Sequence, residues 1–187
     1  MSKTIFVLAG VGVLVSAAHA VTFVVDAQLN SSTGGVAKPT VVLTAGQAFS
    51  VSAGLSDLWS LGTPPRWCNA DGLVGNTFAT GSDESGLTVG TQTGANYGLL
   101  TIGSYSFPYG ALVGEVGGNY FLVGTNYAST APASGTLNLY NWDSNASDNS
   151  HDISVDVTAQ PVPEPATAIL AATGLLGAIR RRRSAKR

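Results

Sequence analysis

The stretch Asn141-Trp142-Asp143-Ser144-Asn145-Ala146-Ser147-Asp148-Asn149 puts five Asn or Asp side chains into nine residues. Carboxylate, amide and carbonyl oxygens are hard donors, and calcium takes about 6–8 of them at roughly 2.3–2.6 Å. A loop of this composition can supply several. The same residue types also favour turns by bonding their own backbone, so a long hairpin loop is the second reading. Asp143-x-Asn145-x-Ser147 has the opening spacing of an EF-hand loop. That motif fails, because Asp148 stands where it needs glycine and Ser154 where it needs glutamate. Tyr140 and Trp142 flank the loop, and Trp59 and Trp67 lie upstream. An aromatic face stacks on the C–H face of a sugar while a bound cation holds its hydroxyls. Trp142 is the candidate for that role, against core packing, the usual employment of a large aromatic. Catalytic groups are scarce. No G-x-S-x-G, H-E-x-x-H or P-loop occurs. An enzyme is not expected, although separations between acids cannot be read along a chain.

The elements around this loop read as strands. Thr22–Val25, Pro39–Leu43, Phe49–Ala53, Tyr97–Ile102, Ala111–Val116, Asn119–Val123, Gly135–Tyr140 and Asp152–Val157 are short β-rich runs, several alternating apolar and polar. Residues 58–86 are irregular. Helical periodicity is nearly absent between the two ends. The expected fold is all-β, a single β-sandwich or jelly-roll domain flanked by an N-terminal signal helix and a C-terminal apolar helix.

Those ends address the protein. Residues 1–20 have a secretory signal layout: Lys3, an apolar core at Ile5–Val15, and Ala18-His19-Ala20 as the A-x-A site for signal peptidase. The mature chain then begins at Val21. Residues 161–187 open with Pro161-Val162-Pro163-Glu164-Pro165, a stiff extended spacer. An uncharged run of about 14 residues follows, short of the ~20 that span a bilayer comfortably. Arg180, Arg181, Arg182 and Arg183 then resist crossing, so they stay cytoplasmic. This suits a transient membrane anchor.

The domain between, residues 21–160, carries two cations, Lys38 and Arg66, against ten carboxylates. Its formal charge is −8, whereas the whole chain carries −2. Such a domain repels nucleic acid and tolerates divalent cations. Cys68 is the single cysteine, so no internal disulfide forms, and its expected place is the core.

Two resemblances extend this reading. Val162-Pro163-Glu164-Pro165, the apolar run and the arginine cluster closely resemble the PEP-CTERM sorting tail. That resemblance implies processing by exosortase, passage through the inner membrane, and delivery to the outer surface or exopolysaccharide matrix of a Gram-negative bacterium. Residues 44–54, Tyr109–Gly117 and Ala133–Leu139, with Asp148-Asn149-Ser150, are in order similar to PA-IL-like calcium-dependent galactophilic lectins. The lectin resemblance implies calcium as cofactor and a glycan as partner. Its ligand places fall on Asn141, Asn145, Asp148 and Asn149, with a distant carbonyl near Leu58. Asn141 stands where that family has aspartate, and the nearest acid is Asp143. His151 and Asp152 stand where the family has glycine and a small residue. The family's histidine and glutamine sugar contacts have no counterpart, so galactose specificity does not carry over.

Overall fold

Period-two alternation builds the two sheets that hold the loop. The computed structural model describes residues 18–162. The expected end helices, Pro163–Pro165 and Arg180–Arg183 lie outside the described residues. In chain order the strands are β1 Ala20–Asp26, β2 Lys38–Leu43, β3 Ala48–Ala53, β4 Trp59–Ser60, β5 Trp67–Cys68, β6 Thr77–Phe78, β7 Gln92–Gly94, β8 Leu99–Ile102, β9 Tyr105–Pro108, β10 Ala111–Val116, β11 Asn119–Leu122, β12 Asn126–Thr130, β13 Gly135–Trp142 and β14 Asp152–Ala159. The fold is all-β. One antiparallel sheet runs β1-β14-β3-β12 and a second runs β11-β10-β13-β2. Three two-stranded ribbons, β4–β5, β6–β7 and β8–β9, complete it.

Along β14, Ile153, Val155 and Val157 are fully buried while Asp152, Ser154 and Asp156 face water. Leu137 and Leu139 of β13 and Leu112 and Val116 of β10 meet them from the other sheet in one core. Sandwich sheets pack about 10 Å apart, so each inward side chain touches the opposite layer. The irregular segment 58–86 contains three short strands, and it contributes Trp59, Leu61 and Cys68 to the same core. Cys68 is 6% exposed.

Two arrangements differ from the sequence reading. β13 and β14 belong to different sheets, so residues 143–151 are not a hairpin loop but cross from one layer to the other. Trp142 is 2% exposed, on the outer face of its sheet and beneath the β8–β9 ribbon. Its indole N–H donates to the Leu100 carbonyl at 2.9 Å, and Phe107 packs edge-on at 5.2 Å between centroids. No face of Trp142 is open to a sugar, which corrects its assignment as the stacking residue.

The β1–β14 register sets the polarity of the domain. Ala20, the expected cleavage position, pairs with Thr158 at one end, and Asp26 pairs with Asp152 at the loop end. Beyond β14, the Gln160 N–H bonds the Ala48 carbonyl at 2.8 Å, and the Gln47 amide bonds the Gln160 carbonyl at 2.6 Å.

Candidate functional site

The crossing loop rests on the turn that follows β1. Asp26 accepts the Gln28 and Leu29 N–H groups at 2.8 and 2.7 Å, fixing the turn. Ser32 then clasps Asp143, its hydroxyl 3.0 Å from both the Asp143 N–H and the Asp143 carbonyl. The turn therefore aims the Ala27 carbonyl into the base of the loop. Asn141, at the end of β13, and Asn149, before β14, each donate an amide N–H to that one oxygen at 3.1 Å.

This shared acceptor fixes both amides. Ala27 offers only an oxygen, so each side chain turns its NH₂ toward it and its Oδ1 away. Asn141 is 0% and Asn149 5% exposed, and both Oδ1 atoms are buried without a hydrogen-bond partner. A buried acceptor without a donor costs about 1–3 kcal/mol. Two such atoms from one loop are a debt that a cation or water would settle.

Asp143 lies beside them, 5% exposed. Burial pushes its carboxyl pKa up. The Ser144 and Asn145 N–H groups and the Asn149 amide pull it back, and the Asp148 charge raises it further. The rim of the loop is satisfied differently. Asn145 caps a single 3₁₀ turn, Ala146–Asp148, by accepting the Ser147 N–H at 3.1 Å. Its amide donates to Asp148 at 2.8 Å. The other Asp148 oxygen lies 3.4 Å from Arg66 Nη1. Gly62, with φ +116°, permits that approach, since a Cβ there would sit 2.8 Å from Asp148 Oδ2.

The structure thus brings Asn141, Asp143 and Asn149 together at the base, with Asn145 and Asp148 at the rim. It does not bring Leu58 there. Leu58 bonds Glu84 through its N–H at 2.8 Å, and the cavity lined by Asp143, Asn145 and Asp148 takes Leu61 rather than Leu58 into its wall. The base offers hard oxygens of the kind calcium takes, two free amide oxygens and a buried carboxylate, and among the described residues no three acid, histidine or cysteine side chains gather there. Val162 is exposed just beyond the latched Gln160. Ala18 is half-buried.

Sequence reasoning counted Arg66 only as a charge. Its guanidinium carbon sits 5.5 Å over the Tyr97 ring, in a groove of about 690 Å³ beside Asp148. The available signal was its solitude: one arginine in residues 21–160, adjacent to Trp67.

Comparison with known proteins agrees at the tail. The PEP-CTERM protein-sorting motif model matches residues 161–183, so the chain carries that motif. A solved structure described as "EclA N-terminal domain; PllA-like lectin" is similar to this chain, with 23% identity and a TM-score of 0.46, covering 74% of this chain and 95% of that one. Among curated proteins none matches.

Proposed function

We propose that this is an exported cell-surface or extracellular-matrix protein whose residues 21–160 form a calcium-dependent carbohydrate-binding module. The sorting motif supports export and exosortase processing. The metal half rests on one observation, the two orphaned amide oxygens beside the buried Asp143. Asn141, Asp143, Asn149 and Asp148 would hold the ion. Bound calcium would supply the positive charge these oxygens lack and would take sugar hydroxyls as further oxygen ligands. The module binds an exopolysaccharide or other glycan, and no catalytic role is assigned to it.

Thermal unfolding of the purified protein in calcium and in chelator tests the metal. Calcium at ~100 times its dissociation constant raises stability by about 2.7 kcal/mol. No shift would refute the metal. The intact mass of the surface protein tests the processing: residues 1–20 and the arginine cluster should both be missing. A mature chain still ending in Arg187 would refute it.

One observation favours a second reading, a structural matrix protein with no ligand site. Asn145, Asp148 and Arg66 satisfy one another at the rim without a metal. A glycan panel that binds nothing in either condition would favour it.

A further inference from the structure

Next to the loop, the groove of about 690 Å³ is lined by Ser60, Thr63, Arg66, Trp67, Tyr97 and Asp148 among others. Three features of Arg66 set it apart. It is one of two cations in a domain with ten carboxylates. Its hydrogen bonds to Leu61 O at 3.5 Å and Asp148 Oδ2 at 3.4 Å both use Nη1, and the Tyr97 side chain also interacts with the guanidinium, raising its pKa. Neither Nε nor Nη2 is paired with a carboxylate among the described residues. The guanidinium carbon also sits 5.5 Å over the ring centroid of Tyr97, which is itself 41% exposed.

We infer that this groove binds a carboxylated sugar, a uronate unit of an acidic polysaccharide, with Arg66 reading the carboxylate. The inference rests on the carbohydrate-binding reading and names its ligand class. A guanidinium presents parallel N–H donors that match a carboxylate in bidentate fashion, an interaction roughly twice as strong as a neutral hydrogen bond. The neighbouring Asp148 pair does not already meet this need. At 3.4 Å, with side chains 44% and 39% exposed, it is long and solvated. Asp148 is placed to accept hydroxyls from the same sugar, and Thr63, Ser85 and Ser150 add hydroxyl partners along the groove. Trp67 forms the adjoining wall, backed by the His151 ring at 4.5 Å. Asp148, 3.4 Å away, lies well inside the screening length of about 8 Å, so the groove is not cationic as a whole and the selection rests on the geometry of the Arg66 fork rather than on net charge.

The test is calorimetric titration of the purified protein in chelator with uronate trisaccharides of gluco, galacto and manno configuration. Each is paired with its carboxyl-reduced neutral counterpart. At least one uronate should bind tenfold or more tighter than its neutral partner, with the preference shrinking as salt rises. Arg66→Lys keeps the charge but loses the fork, and Arg66→Gln loses both. Each should abolish most of the preference while the unfolding midpoint stays put. Neutral sugars that bind as well as uronates would overturn the inference and leave the carbohydrate reading standing. Uronate binding that appears only with calcium would also overturn it, moving recognition to the metal loop. No binding by any sugar, with or without calcium, would remove both readings.

Discussion

Replacing Asn141 by leucine should change sign with calcium. Leucine matches the amide in shape and removes two things. One is the N–H bond to Ala27, worth about 0.5–1.5 kcal/mol. Its loss orphans nothing, because Asn149 still donates to the Ala27 carbonyl. The other is the buried Oδ1 without a partner, a burden of about 1–3 kcal/mol. The backbone of residue 141 is untouched, with its N–H on the Asn30 carbonyl at 2.9 Å and its own carbonyl bonded by Ser32 at 2.8 Å. In chelator the variant should therefore be as stable as the native protein or up to about 2 kcal/mol more so, a rise of at most roughly 8 °C for a domain of this size. In calcium at ~100 times its dissociation constant the native protein should gain about 2.7 kcal/mol. The variant, lacking one ligand, gains far less, and the order of the two midpoints reverses. Thermal unfolding followed by circular dichroism in both buffers reads this directly. Destabilisation beyond about 2 kcal/mol in chelator would mean that the Oδ1 is satisfied after all. Stabilisation of equal size in both buffers would keep the orphan and dismiss the metal.

Gly110→Ala should destabilise by about 1–3 kcal/mol in denaturant unfolding, since Gly110 has φ +73° and a Cβ would meet Cys68 Sγ at 2.6 Å and Leu61 Cδ1 at 2.7 Å. Asp57→Asn should raise the unfolding midpoint at pH 7 and leave it unchanged at pH 3. Burial, then Glu84 and Asp152, raise the Asp57 pKa against the Ser154 N–H bond. The folded state therefore holds that proton more tightly, and stability falls as pH rises through the window above the ordinary carboxylate value. The amide oxygen still accepts the Ser154 N–H, and equal midpoints at pH 7 would contradict the argument. Iodoacetamide at pH 8 should leave Cys68 unmodified until the chain unfolds, because burial pushes the thiol pKa far up. Rapid alkylation of the native protein would place Cys68 outside the core.

Alternation made β3, β13 and β14 legible in sequence, because the inward face of each is buried and the other face carries mostly polar or less buried residues. β12, Asn126–Thr130, was not, since Tyr127 is its only half-buried residue and its pairing with β3 supplies what its composition lacks. The oxygen-rich loop could be found by composition. Its sheet-to-sheet crossing could not, because turn residues look alike whether a chain reverses or changes layer. Trp142 shows the same limit. Alternation places it outside the core, yet the β8–β9 ribbon covers it, and nothing local announces that cover. Arg66 meets Asp148 across 82 residues, a proximity only the folded chain creates.

The strand β14 also decides how the domain bears load. A glycan held at the crossing loop, as proposed, would pull on the N-terminal end of β14, while an anchor beyond Gln160 would pull on its C-terminal end. Tension then runs along about 26 Å of one strand. β14 is the inner neighbour of both β1, over seven paired residues, and β3, over five. Force along the strand is then carried by its extended covalent backbone, and the hydrogen bonds to both neighbours are spared. Pulling at Ala20 against Thr158 would instead open the β1–β14 ladder one pair at a time, like a zip. A chain held by its tail and by its ligand is strong in the direction of drag. One held by both ends at once would be weak.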